Sequence, residues 1–467
     1  MLQRGSGLLL HPTSLPGPFG IGDLGPAADT FLDGCRSAGQ SWWQMLPLGP
    51  PEAHGSPYSS LSAFAGNPLL LSPERLVEDG LLEPGDLPAE PLGCPERVDF
   101  EVVGQAKEAL FRRAWERAQP RLRGELGTQL EEFRRHPDQQ PWLEDWCLFS
   151  ALRDAHGRQP WWRWDPPLSR REPAALKQAA AELAAERAYH RFLQFLFQRQ
   201  WQRLVSAAQE RGVRLFGDIP IYVAGGSAEV WARPELFELD EDLQPLGLAG
   251  VPPDHFTAHG QLWGNPLFRW DRLAAEGYRW WVERVAAARR RFELLRLDHF
   301  RGFEAYWRVP AGAQTAEHGE WVPGPGIGLF RALEAELGEL PLVAEDLGVI
   351  TPPVEALRRE LNLPGMAILQ FAFGEGGSVH APHGIGPDRV LYTGTHDNET
   401  TAGWFAGLDE GTRRRVLDYS GAADGEAVPW ALIRLAQTSV AVLAVIPVQD
   451  LLALGNEARM NVPGEAA

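Results

Sequence analysis

The chain has 467 residues, 44% hydrophobic and 23% charged, an ordinary globular balance at a length that admits one large barrel with insertions or two to three domains. A net charge of −18 repels nucleic acid and anionic membrane, so neither is expected as a partner. No apolar run is long enough to span a bilayer, Met1–Gly7 has no basic-then-apolar leader, and Cys35, Cys94 and Cys147 form no C-x-x-C pair; a cytoplasmic chain without disulfides is expected.

Short apolar runs that end in polar residues recur along the chain. In order they are Gly7–Leu10 before His11, Ser41–Leu46 before Pro47, Val213–Phe216 before Asp218, and Leu294–Leu297 before Asp298. Leu342–Ala344 before Glu345, Met366–Phe371, Val390–Thr393 before His396 and Asp397, and Val440–Val448 before Asp450 follow. Continuous apolar runs fit strands buried on both faces of a parallel sheet. Helical patterns at Leu176–Leu204, Trp280–Phe292, Leu329–Leu337 and Pro353–Leu361 lie between them. Eight such units predict an α/β fold, a (β/α)8 TIM barrel whose site gathers at the C-terminal ends of the strands. A doubly wound sheet competes, but no Gly-rich dinucleotide fingerprint is present.

The spacing is uneven. Residues 70–205 hold Pro-rich turns and then Ala/Leu/Arg helices, which predicts an inserted helical subdomain. A second insertion, about 224–275, is rich in Gly and Pro and reads as a loop-rich subdomain at the barrel mouth. The whole of 1–467 is then a single catalytic barrel without a C-terminal β-domain.

Three blocks carry acids at strand ends. In Arg296-Leu297-Asp298-His299-Phe300-Arg301, residues two apart share a face, so Arg296 and Asp298 project together while Leu295 and Leu297 face the helices. The guanidinium favours an ionised Asp298, as a nucleophile requires; a buried ion pair that only holds the barrel is the plainer alternative. Glu345 and Asp346 are adjacent, so only one can enter the site, and the residues alone leave open which. The third block, Thr393–Glu399, brings His396 and Asp397 to the barrel opening. His11, His299 and His396 could be assembled into a metal site, but no H-x-H or H-E-x-x-H spacing occurs, so neither metal nor other cofactor is expected. Three carboxylates from separate strand ends suit glycosyl transfer, in which an acid protonates the leaving oxygen and a carboxylate lies beneath the anomeric carbon. Eighteen tryptophans offer faces for sugar rings, although packing in the core is the commoner fate of an indole.

Further blocks join these: Leu10–Gly25 (LHPTSLPGPFGIGDLG), Ser56–Ser60 (SPYSS), Gly217–Val223 (GDIPIYV), Gly250–Asp254 (GVPPD), Gln261–Pro266 (QLWGNP) and Glu457–Asn461 (EARMN). Together, in this order, they resemble the amylomaltase family of 4-α-glucanotransferases, or disproportionating enzymes, of the α-amylase clan. The resemblance implies transfer of an α-1,4-glucan segment to the 4-hydroxyl of an acceptor through a covalent aspartyl intermediate. Substrates would be maltooligosaccharides and starch- or glycogen-derived glucans, with glucose as an acceptor. It also implies roles by position: Asp298 nucleophile, Glu345 general acid/base, Asp397 transition-state stabiliser. Arg296, His396 and Asp218 would hold the nucleophile and sugar hydroxyls, Tyr58 and Trp263 would line subsites, and Asn461 would contact substrate from a C-terminal loop. Residues 247–259 would form a flap. A hydrolase on the same barrel, a non-catalytic glucan-binding protein and a metal-dependent hydrolase are the alternatives.

Two departures from the family pattern stand out. Gly374–Gly377 and Pro382-His383-Gly384 replace an acidic loop ending in Pro-His-Asn, which puts donor-side contacts there in doubt. Family members also continue past Asn461–Gly464 into a final helix, whereas this sequence stops at Ala467. The last barrel helix is therefore expected to be missing, with an apolar face of Val440–Val448 partly uncovered.

Overall fold

All eight apolar runs form strands of one parallel sheet. The computed structural model describes residues 2–52, 55–94, 96–253, 258–374 and 377–463. In chain order the strands are β1 (Gly5–Leu9), β2 (Trp42–Gln44), β3 (Arg214–Ile219), β4 (Gly247–Val251), β5 (Gln261–Pro266), β6 (Leu294–Leu297), β7 (Ala305–Pro310), β8 (Glu320–Pro323), β9 (Leu342–Ala344), β10 (Gly365–Ile368), β11 (Arg389–Tyr392) and β12 (Leu443–Pro447). The parallel sheet runs β10-β11-β12-β1-β2-β3-β6-β9. Its two ends meet where Ala344 N–H donates to Pro364 O at 2.8 Å, so the sheet is a nearly closed barrel.

Strand alternation sorts the side chains into two apolar layers. Leu9, Trp42, Phe216, Leu294, Val343, Met366, Ile368, Val390, Tyr392, Leu443 and Val445 fill the barrel interior. Leu8, Trp43, Leu215, Leu295, Leu297, Leu342, Ala344, Leu391 and Ile446 face the surrounding helices. β2 packs closely against β1 because β1 is glycine-rich: a Cβ on Gly7 would lie 2.5 Å from Trp42 Cβ. The expected strand at Met366–Phe371 ends at Ile368, where a 3-10 turn, Leu369–Phe373, takes over.

Between β2 and β3 the chain makes a helical excursion that includes Phe100–Ala118, Leu143–Ala155 and the 27-residue helix Ala184–Glu210. The helical pattern over Leu176–Leu204 is divided at Leu183, which ends Pro173–Glu182 and starts Ala184–Glu210. Arg187 donates to the Ala180 carbonyl and so satisfies an acceptor next to the break. Fully buried Lys107 donates to Asp23 at 2.9 Å and to the carbonyls of Leu69 and Leu71, tying the excursion to the loop after β1.

The Gly- and Pro-rich stretch is not simply loop. β4, β5, β7 and β8 form a second, antiparallel sheet in the order β5-β4-β7-β8. Its inner strand β4 reads Gly-Leu-Ala-Gly-Val, and a Cβ on Gly250 would lie 2.5 Å from Gln261 O. Small residues thus allow close strand approach at the cost of the β-branched pattern by which strands are recognised. Of the expected flap at 247–259, Gly247–Val251 is strand, whereas residues 254–257 lie outside the described residues.

Of the expected Val440–Val448 run, the part that forms β12 is covered, contrary to expectation, whereas Val440 is exposed. Leu443–Pro447 is buried throughout, with helix Val428–Thr438 packed against it. Exposed apolar side chains lie to either side, at Trp430, Val440 and Leu452. Among the described residues no helix is long and apolar enough to cross a membrane.

Candidate active site

The site begins with strand register. Asp218 on β3 pairs with Arg296 on β6, which pairs with Val343 on β9, all one strand-width apart. Asp298 and Glu345 each stand one residue beyond their strand, yet Asp298 N–H donates to Ile219 O at 3.0 Å and Glu345 N–H to Leu297 O at 3.1 Å. Both are therefore fixed by continuations of the barrel ladder.

Arg296 is the hub. Its Nη1 donates to Asp218 Oδ2 and its Nη2 to Asp298 Oδ1, both at 2.6 Å. Burial opposes its charge, but the Asp218 and Asp298 carboxylates hold it well above the usual guanidinium range. The Tyr58 hydroxyl also donates to Asp218 Oδ2, at 2.7 Å. Burial pushes Asp218 up and Arg296 pulls it back, with the balance upward.

Tyr58 comes from a long loop that the helical excursion holds in place. Gln194 pairs with both backbone groups of Gly66 at 2.8 and 2.9 Å, and Gln200 does the same for Ser72 at 2.7 and 3.1 Å. The Tyr58 ring then stacks on His396, with centroids 5.1 Å apart and planes 10° off parallel.

The two adjacent acids diverge. Glu345 turns inward: its Oε2 accepts from His299 N–H at 2.8 Å and its Oε1 from Leu347 N–H at 2.9 Å. Asp346 turns outward into ion pairs with Arg358 and Arg389. Burial raises the Glu345 carboxyl, Arg296 pulls it down, and nearby Asp298 raises it again, to about 7.

His299 is held in the left-handed region, φ 51° and ψ 51°, uncommon for a non-glycine residue. That turn directs its N–H to Glu345, and Gly302 leaves room for the ring, since a Cβ there would lie 2.9 Å from His299 Cδ2. Burial lowers the imidazole to about 4, so it is neutral at pH 7. The Trp263 indole meets it edge-on at 4.8 Å.

Asp397 sits on the loop after β11, its side chain 44% exposed. Asn461 Nδ2 donates to its Oδ1 at 2.6 Å, His396 Nε2 lies 3.1 Å from its Oδ2, and Arg459 donates to its carbonyl. Desolvation works against its charge, but His396 and Asn461 overcome this and hold it well below the usual carboxylate range. All nine candidate residues, Tyr58, Asp218, Trp263, Arg296, Asp298, Glu345, His396, Asp397 and Asn461, thus belong to one connected constellation. Among the described residues no three His, Cys, Asp or Glu side chains are grouped as metal ligands would be.

Residues 10–467 match the model of glycoside hydrolase family 77, described as 4-alpha-glucanotransferase. The chain belongs to this family. Within family 77 it is 50% identical to the 4-alpha-glucanotransferase of Thermus thermophilus, over 99% of this chain and 93% of the relative. It is 49% identical to that of Synechocystis sp., over 100% and 92%. The solved amylomaltase of Streptococcus agalactiae in complex with acarbose superposes with a TM-score of 0.96 at 36% identity, over 100% of this chain and 94% of that one. The family 77 chain described here is a 4-alpha-glucanotransferase enzyme on a TIM-like barrel with helical and antiparallel inserts.

Two groups escaped the sequence reading. Asp450 is buried and accepts from Thr401 N–H at 2.6 Å, from Thr401 Oγ1 at 2.7 Å and from Thr393 Oγ1, anchoring both ends of the loop that carries His396 and Asp397. Its position as the acid after the last strand run was the available signal. Asn456 braces the same loop through Glu399 and Thr400, and only a fold-level view links positions so far apart in sequence. In the departing segment, His383 contacts the Tyr419 hydroxyl at 2.7 Å, while residues 375–376 lie outside the described residues.

Proposed function

We propose that Asp298 is the nucleophile, Glu345 the general acid/base and Asp397 the stabilising carboxylate in transfer of α-1,4-glucan segments. The observation that carries this is the Arg296 clamp: one guanidinium orients Asp298 while Glu345, held by two backbone N–H groups, keeps its proton near neutrality.

Protonated Glu345 gives its proton to the glycosidic oxygen as an Asp298 carboxylate oxygen bonds to the anomeric carbon. The reducing-end segment departs and the remaining glycosyl unit is an ester of Asp298. An acceptor 4-hydroxyl then attacks that carbon, its proton passes to the Glu345 carboxylate and the ester breaks, so configuration is retained. Asp397, kept ionised, stabilises the positive charge that develops on the sugar ring. His299 Nε2 and Asp218 Oδ1 are buried without a protein partner among the described residues. Leaving such atoms unpaired costs about 1–3 kcal/mol each, which substrate hydroxyls or waters would relieve. Tyr58, Arg296, His396 and Trp263 shape the surrounding subsites, and Asn461 sets Asp397. Maltooligosaccharides and larger α-1,4-glucans are the substrates, with glucose as the smallest acceptor. Three free cysteines, two of them buried, support a cytosolic location.

Incubation with maltotriose followed by chromatography tests the reading. A ladder of longer and shorter oligomers with glucose is expected. Glucose and maltose alone would make the reaction hydrolysis and overturn the proposal.

A further inference from the structure

We propose that Trp307 and Trp321, on the edge hairpin of the antiparallel sheet, form an additional docking surface for long α-glucan chains. The inference rests on the glucan-transfer reading above but concerns a part of the molecule outside the catalytic constellation.

β8 is an edge strand, and its Trp321 stands opposite Trp307 of β7 in register. The two indoles meet with centroids 5.2 Å apart at 62°. Neither is loosely placed. Trp307 Nε1 donates to Ala316 O at 2.9 Å, and Gly319 lies so close that a Cβ there would fall 2.6 Å from the ring. Trp321 covers the buried Arg301 guanidinium, whose carbon is 3.8 Å from the ring centroid. The Trp321 residue is nonetheless 41% exposed.

Arg301 fixes where this surface lies. It follows Asp298 by three residues, and its Nη1 donates to the carbonyl of Val349, on the loop that leaves Glu345. The indoles are therefore coupled through one side chain to the strand-end loops that carry both proposed reacting carboxylates, on the same end of the barrel. Pyranose rings present apolar C–H faces to an aromatic plane, and an ordered indole offers that plane at low entropic cost. A glucan that runs beyond the catalytic subsites and over this rim would meet the two indoles. Maltotriose is too short to gain from the surface.

Two measurements test it. In native gels containing glycogen, the turnover-deficient Asp298→Asn variant should be retarded, Asp298→Asn/Trp321→Ala distinctly less so, and Asp298→Asn/Trp321→Phe close to the Asp298→Asn parent. In steady state, Trp321→Ala alone should raise KM for amylose about five- to tenfold. Its kcat, and both constants for maltotriose, should stay unchanged. Equal losses on maltotriose and amylose would make Trp321 a prop for Arg301 and overturn the proposal. Unchanged gel retardation would do the same, as would a Trp321-dependent dimer in sedimentation, which would assign the patch to a second copy of the chain. Failure of the transfer reading would show separately, as a parent enzyme that makes no oligomer ladder while its glycogen retardation is still read.

Discussion

The two sides of the site are built in different ways. Asp298 and Glu345 extend strands, and their backbone hydrogen bonds continue the barrel ladder, so their placement follows from the sheet itself. Asp397 stands on a loop that owes its position to side chains: Asp450 and Asn456 below it, Asn461 and Arg459 beside it. The groups proposed to make and break bonds therefore rest on the barrel ladder, whereas the stabilising carboxylate depends on side-chain contacts from His396 and from the C-terminal segment. Substitutions on the first side should act through chemistry and on the second through position.

The sharpest break of that contrast is Asp298→Asn. Turnover should fall on the order of 10⁴-fold or more, with an unaltered cooperative melt, because the loss is of nucleophilicity and the carboxamide still accepts from Arg296. Near-native activity by coupled glucose assay would remove Asp298 from its assigned role. Glu345→Gln should cost about 10²–10⁴-fold, the range of general acid catalysis. In the parent, kcat/KM should fall as pH rises through about 7, where Glu345 loses its proton. The same raised pKa has a stability sign. The folded state holds this proton more tightly than the unfolded chain, so the stabilisation is complete below about 4.5 and is lost as pH rises through about 7. Glu345→Gln should thus gain Tm relative to the parent at pH 8 and not at pH 4, by differential scanning calorimetry.

On the other side the effects should be smaller. Asn461→Ala removes a hydrogen bond to an ionised carboxylate and should lower kcat about tenfold while leaving the basic limb of the pH profile in place. A shift of that limb would couple the two sides more closely than their anchoring implies. Asp450→Asn cannot accept from all three of its donors and should lower kcat a few-fold and stability by about 1–3 kcal/mol, seen in urea melts. A larger loss of activity than Asn461→Ala would place the loop's base, and not its tip, in control of Asp397.

The same division runs through what the sequence revealed. Strands buried on both faces leave continuous apolar runs, and all eight of the barrel were visible that way. Period-two alternation alone puts Arg296 beside Asp298. The antiparallel sheet was hidden because three of the five residues of β4, Gly247, Ala249 and Gly250, are small and serve close packing and not β propensity. Alternation said that Glu345 and Asp346 must part, but not which turns inward; that depends on Arg358 and Arg389 drawing Asp346 outward. Tyr58 stands where it does because Gln194 and Gln200, on a distant helix, hold the backbone of its loop. No local pattern encodes a side chain 128 residues away from the amide it satisfies.

The pairing of β1 with β12 sets a condition on how the molecule is made. Gly5 finds its partner at Leu443, so the first strand off the ribosome waits for the last before its outer edge is occupied. Until then the nascent barrel is an open sheet with unsatisfied amides at both margins, a template for pairing with another unfinished chain. Slow translation or heat during synthesis should therefore harm yield more than equal heat applied to the finished protein.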